Sequence, residues 1–305
     1  MPARGSSLCL LRLCDLCVDV FLKRLNTEGT EAHRTLRIRL TGLALLAALL
    51  CPAAGVAQSD YRNLDAGRPI AVEDAQPVEY RALESTWGIP RFLRERRGAW
   101  LVGAETEFKW GIYKDLQFGL ASEYVIVRED GDTIVASRDK QAHLLWNFNA
   151  EGPRMPAIAL RPSLSIRSGG LGSQHEHGAL KLIMSKTIRR NRLHFNGAYT
   201  IGPTEAPGRG GELVNRYFYG AAYERTLPLK FMVLLAGVHV TKPIDHSKAE
   251  VVLEGGTRIQ LTPNWVLDAG VSTGAVRDGG HDFGFTFGLS RSFSFRWLYP
   301  KGDRP

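Results

Sequence analysis

The sequence predicts an all-β protein: a single transmembrane antiparallel β-barrel of about twelve strands, with short periplasmic turns and longer extracellular loops. Three observations predict it. Segments of ten to thirteen residues alternate apolar with small or polar side chains, as a strand with one face to lipid and one to a polar lumen must. The connections between them alternate between short and long. After residue 57 no stretch approaches the roughly 20 consecutive apolar residues that a membrane helix needs.

The start of the chain reads as processing signals. Arg34, Arg37 and Arg39 precede the apolar run Leu40–Leu50, and Gly55-Val56-Ala57 supplies the small residues expected before a cleavage site. We expect residues 34–57 to be a secretory signal peptide, with Gln58 the first mature residue. Residues 1–33, upstream of a signal that already has its basic region, read as an over-extended start. Cys51 follows Leu50, where a lipoprotein signal wants Gly, Ala or Ser, so lipidation is not expected. Cys9, Cys14, Cys17 and Cys51 are the only four cysteines, and all precede the expected cut. Cys14 and Cys17 form one CxxC pair with no second pair to complete a metal site. A barrel closed by its own hydrogen bonds needs no disulfide staples.

Seven of the 39 Lys and Arg and four of the 31 Asp and Glu lie in residues 1–57, so the remainder keeps an excess of +5. That excess is too dilute, with no basic run longer than "RERR", to argue for nucleic acid, and no nucleic-acid partner is expected. Residues 58–77 form an N-terminal segment that either stays in the periplasm or plugs the lumen.

The barrel is expected over residues 78–295, with a tail at 296–305. A first strand is expected near Glu79–Thr86. Trp100, Val102, Ala104, Thr106, Phe108 and Trp110 then share one face opposite Glu105, Glu107 and Lys109. Leu116, Phe118, Leu120, Tyr124 and Ile126 oppose Gln117 and Glu123, and Ala142, Leu144, Trp146 and Phe148 oppose Gln141, His143 and Asn147. Ile158, Leu160, Leu164 and Ile166 oppose Arg161, Ser163 and Ser165. The pattern recurs at Leu180–Met184, Leu193–Ile201, Tyr217–Tyr223 and Trp265–Val271, while "KFMVLLAGVHV" is apolar on both faces and leaves its register open. Short turns are expected at "GIYKD", "EGPRMP", "IRRN", "TLPL" and "QLTPN", and longer loops at "REDGDTIVASR", "SGGLGSQHE", "PTEAPGRGGE", "KPIDHSK" and "RDGGH".

The last strand turns Phe283, Phe285, Phe287, Leu289 and Phe293 outward and Gly284, Gly288, Ser290 and Ser292 inward. Thr286, Gly288 and Phe293 resemble the C-terminal signal read by the barrel-assembly machinery. Arg291 departs from that signal. On the lipid face it would cost about 2 to 4 kcal/mol at the midplane and about 0 to 1 near an interface, so it is expected close to the headgroups.

The pieces "FKWGIYKDLQFGL", "LTPNWVLDAGVSTG" and "FGLSRSF" resemble those of bacterial outer-membrane transporters of the MetA-pathway phenol-degradation type, and the resemblance runs from about "VEDAQP" onward. It implies a monomeric barrel that moves small molecules, with no agreed ligand and no catalytic residues to carry over.

The inward candidates for a solute path are Glu105, Glu107, Glu123, His143, Arg161, Lys181, Arg216, Glu224, Glu254, Arg258 and Asp268. Their mixed charge suits either a selective polar path or a packed network of ion pairs, and a strand number between the packed eight and the open sixteen decides neither. His143 and His194 read as lumen residues, whereas His175, His177, His246 and His281 lie in or beside loops, outside any nucleophile motif. "HEH" offers two ligands and no third, so no metal and no cofactor are expected. The sequence therefore predicts a passive outer-membrane conduit for small molecules, hydrophobic or aromatic ones included. A structural barrel with a packed lumen is the alternative and an outer-membrane hydrolase the third reading. The expected partners are membrane lipid, the assembly machinery and the solute.

Overall fold

A computed structural model describes residues 62–294, except 66, 95–97, 130, 169–172, 174, 203–214, 228, 230, 245–247 and 277–279. The expected extension, signal peptide and tail, the four cysteines, His246 and the whole "PTEAPGRGGE" loop lie outside the described residues.

Twelve strands follow in order: β1 (Ala82–Arg94), β2 (Trp100–Tyr113), β3 (Leu116–Glu129), β4 (Asp132–Asn149), β5 (Ala157–Ile166), β6 (His177–Ile188), β7 (Asn191–Ile201), β8 (Arg216–Thr226), β9 (Met232–Pro243), β10 (Glu250–Thr262), β11 (Trp265–Gly274) and β12 (Phe283–Ser294). Each pairs antiparallel with its sequence neighbours, and β1 closes on β12, so the sheet has no free edge. The first strand begins and ends later than the sequence suggests. Pro90 lies inside it, and the register of β1 slips there against both neighbours, because proline has no N–H to give to a ladder.

The β2–β3 and β6–β7 connections are two-residue turns, with Asp115 and Arg189 at φ 61° and 60°. One long loop is not a loop. Residues 128–138, expected as an extracellular excursion, continue β3 and β4 as a protruding hairpin that pairs Val127 with Ile134 and Glu129 with Asp132. Residues 131–135 are all exposed, yet the strands keep pairing through Thr133, Ile134 and Val135, so the ladder continues where neither face is buried.

Outside, an apolar belt of residues such as Phe108, Leu120, Tyr124, Trp146, Leu180, Tyr219 and Phe287 is exposed, as lipid-facing positions are in the absence of lipid. The ambiguous strand β9 turns Leu234 and Val238 outward and Val233 and Leu235 inward. Arg291 lies on the outer face beside the short-turn end. It pairs in register with Ser85 and Trp265, with its guanidinium 5.1 Å from the Trp265 ring centroid.

Candidate functional site

Residues 62–79 run inside the barrel. Their backbone is met by side chains that alternation turns inward on strand after strand. Thr286 of β12 donates to the Pro69 carbonyl at 3.0 Å, and both carboxylate oxygens of Glu254 on β10 accept from the Ala71 N–H at 3.1 and 2.9 Å. Asn196 of β7 holds Glu73 twice, accepting from its N–H at 2.8 Å and donating to its carbonyl at 2.9 Å. Ser185 of β6 accepts from the Ala75 N–H at 3.2 Å, Asn147 of β4 donates to the Ala75 carbonyl at 2.9 Å, and Gln117 of β3 accepts from the Val78 N–H at 2.9 Å. The segment, outside the barrel's ladders, thus satisfies its backbone partly from wall side chains and partly within itself, where the Asp74 N–H donates to the Leu64 carbonyl at 3.1 Å.

Apolar contacts accompany these bonds. Leu64, Ile70 and Val72 pack with Ala222 and Leu235, and Ala75 packs with Leu145, Ala157, Ala159 and Ile183. This explains why strands such as β9 carry leucine on the face that should be polar. Wall glycines let the segment approach. An added Cβ at Gly256 would lie 2.8 Å from Pro69 Cβ, one at Gly220 would lie 2.7 Å from Val72 Cγ2, and one at Gly270 would collide with the Pro69 carbonyl oxygen.

Charges on the segment complement those on the wall. Asp65 pairs with Lys109 and, at 3.3 Å, with Arg258, which also donates to the Asn63 carbonyl. Lys109 reaches Glu84 at 3.0 Å and Glu107 at 3.5 Å. Glu73 meets Arg161 at 3.3 Å and Lys181 at 3.0 Å, and Asp74 meets Arg192 at 2.7 Å. Arg68 is 1% exposed, and none of its side-chain nitrogens has a hydrogen-bond partner among the described residues. The same holds for both carboxylate oxygens of Asp268. The two groups converge over Gly288, where an added Cβ would lie 2.5 Å from Arg68 Nη1 and 2.6 Å from the Asp268 oxygens.

Of the residues read as lumen-lining, Glu107, Glu123, His143, Arg161, Glu224, Arg258 and Asp268 are buried, and Glu105, Lys181 and Glu254 are half-buried on inward faces. Glu123 pairs with Arg91 at 3.1 Å, His143 approaches Arg161 at 3.2 Å, and Glu254 approaches His239 at 3.2 Å. Arg216 is the first residue of β8, at the loop end and away from the segment's contacts described above. Thr286 and Gly288, read as assembly signal, touch the segment, and Phe293 faces outward next to the strand's last residue, Ser294. Sequence reasoning missed Glu73, Asp74, Arg68 and Asp65. Their signal was four charges in a short stretch, "LDAGRPIAVEDAQP", interleaved with apolar residues and followed by no strand pattern of its own.

One buried relay joins Ser185, His194 and Glu224: the serine hydroxyl lies 2.9 Å from His194 Nδ1, and His194 Nε2 lies 3.3 Å from Glu224. The hydroxyl also accepts from the Ala75 N–H, and the histidine is 0% exposed, so the segment covers the relay. His177 of "HEH" faces Ser173 at 3.1 Å and Asp139 at 3.9 Å. Among the described residues no group of three or more His, Cys, Asp or Glu is arranged to hold a metal ion.

No family model and no curated protein matches the chain. Solved structures do. The COG4313 outer membrane channel from Pseudomonas putida F1 is 11% identical, with 72% of this chain and 98% of that chain covered at a TM-score of 0.57. The KdgM porin is 10% identical over 70% of this chain and 99% of its own, with a TM-score of 0.46. LpxR from Salmonella typhimurium is 10% identical over 69% and 99%, with a TM-score of 0.41. At such identities the likeness concerns the fold, and it places this chain's architecture among the outer-membrane β-barrels.

Proposed function

We propose that the chain is a bacterial outer-membrane barrel acting as a passive conduit for small molecules, hydrophobic or aromatic ones included, and that residues 62–79 close it. The observation that carries the reading is the way the segment is held. Side chains of β2 to β7, β10 and β12 grip it by hydrogen bonds and ion pairs, so nothing covalent beyond the chain itself prevents its release. Once released, it would uncover a lumen with cations on β5 to β7 and, on β1 to β3, carboxylates paired with Arg91 and Lys109, a mixed lining of the kind that tunes passage. That the structural neighbour with a TM-score of 0.57 is a channel supports conduction, and the resemblance to MetA-pathway proteins supports aromatic solutes.

In this reading the termini and short turns face the periplasm, Thr286, Gly288 and Phe293 serve the assembly machinery, and residues 1–57 are removed before insertion. The test is uptake and conductance in liposomes. Wild-type protein should exceed protein-free controls, and neither activity above background would sink the conduit.

A second reading, a structural barrel with a permanently packed lumen, is favoured by the burial of the Lys109–Asp65–Arg258 and Glu73–Arg161–Lys181 groups. It predicts no conductance, and loss of heat resistance whenever either group is broken.

A further inference from the structure

Arg161 on β5 and Lys181 on β6 stand directly opposite each other, and like charges so placed repel. Other charged residues in register on the inner face are complementary: Glu84 with Lys109, Arg192 with Glu224, and Arg258 with Asp268. Glu105 opposite Glu123 is the acidic counterpart, and there Arg91 supplies the balancing charge to Glu123. At the basic pair the balance comes from outside the wall. A single oxygen, Glu73 Oε2, lies 3.3 Å from Arg161 Nη1 and 3.0 Å from Lys181 Nζ.

The seat is built to hold an anion. Gln141 and His143 orient the Arg161 guanidinium, at 3.3 and 3.2 Å, and Arg161 Nε still has no hydrogen-bond partner among the described residues. The Lys181 ammonium also lies 5.7 Å from the ring centroid of Phe218, an inward aromatic residue, so a flat apolar surface adjoins the cations. A carboxylate binds such a pair by charge-assisted hydrogen bonds, and a ring attached to it gains the aromatic face.

We infer that Arg161 and Lys181 form the seat for the carboxylate of a transported aromatic monocarboxylate, and that Glu73 fills it as an internal surrogate when the barrel is closed. The inference rests on the conduit reading of the lumen. Because Glu73 is tethered, it competes at high effective concentration, and a solute gains the seat when the segment leaves.

The test uses the purified, folded full barrel in detergent, with benzoate as probe and benzyl alcohol, phosphate and chloride as comparators at matched ionic strength. In Glu73→Gln the two cations lose their anion, and benzoate should raise the unfolding midpoint by several degrees while the comparators leave it unchanged. The double variant Glu73→Gln/Arg161→Gln should lose that response. Equal responses to benzoate, phosphate and chloride, or none at all, overturn the assignment.

If Glu73→Gln does not assemble, wild-type protein decides by hydrogen exchange. Excess benzoate should increase deuterium uptake in residues 69–80 over matched chloride, and unchanged uptake overturns the seat. Benzoate stabilisation without flux in liposomes would sink the conduit and leave the seat standing. Flux without benzoate stabilisation would do the reverse.

Discussion

Gly270→Ala isolates the contact between wall and segment. Gly270 faces inward on β11, and the added methyl would meet the Pro69 carbonyl oxygen and lie 2.7 Å from Thr286 Oγ1 and 3.1 Å from the Pro69 carbonyl carbon. Backbone atoms cannot swing aside as a long side chain can. Overpacking of this kind costs about 1 to 3 kcal/mol, and losing the Thr286–Pro69 hydrogen bond adds about 0.5 to 1.5 kcal/mol. Together, about 1.5 to 4.5 kcal/mol shifts the ratio of released to seated segment by roughly 10- to 1,600-fold, at tenfold for every 1.4 kcal/mol. The assay is open probability in planar bilayers, alongside the gel shift between unheated and boiled protein. Gly255→Ala is the control, since a Cβ there meets nothing nearer than Leu235 O at 3.8 Å. If Gly270→Ala assembles and gates like wild type with its heat resistance intact, the seating of residues 69–70 against the wall is wrong, and loss of heat resistance without opening would replace the gated conduit with a permanently packed lumen.

Reversing Arg161 to Glu removes a partner of Glu73 and of His143 and opposes two carboxylates, so attachment should weaken by about 3 to 5 kcal/mol, read as more frequent opening and altered ion selectivity. Replacing Trp265 with Leu removes a ring that Arg291 covers at the membrane boundary, and should lower heat resistance by no more than about 1 kcal/mol. Shortening the hairpin between Glu129 and Val135 to a tight turn should leave the heat-dependent gel shift intact, because that stretch is exposed, whereas Arg138 reaches back to Glu123 and is kept. At Glu151, burial raises the carboxyl's pKa but is outweighed by hydrogen bonds from the Thr187 N–H and hydroxyl and by Lys186, so the net shift is downward. Its stabilisation is therefore present above the ordinary carboxylate range and lost as pH falls through the lowered value. Glu151→Gln should cost less than about 1 kcal/mol at pH 7 and nothing in strong acid, because the group is only half-buried at a turn where solvent still screens it.

The wall was legible in the sequence because lipid on one side and a polar interior on the other impose a period of two. Trp146 and Phe148 against His143 and Asn147, or Phe285 and Phe287 against Gly284 and Gly288, could be assigned to their faces from alternation alone. Alternation put Arg291 on the outward row, but its burial beside the Trp265 ring was not legible. The hairpin of β3 and β4 was not legible, because "REDGDTIVASR" has turn residues and charges at both ends, and strand pairing beyond the membrane needs no apolar face. The lumen was half legible. Alternation identified Arg161 and Lys181 as inward, but nothing local says that two cations on separate strands share one carboxylate from residue 73. Leu145, Ile183 and Leu235 interrupt the polar inward rows, and Ala75, Ile70 and Val72 supply the surface they meet. Contacts between an irregular segment and a barrel wall leave no periodicity to read.

The most direct test of the account is single-channel conductance of the assembled barrel with and without residues 62–79. The account predicts that the intact protein is closed for most of the record, with brief openings, and that removing the segment gives a steady open level. A barrel that lacks the segment, still shows the gel shift of a folded barrel and carries no more current than the intact protein would contradict it.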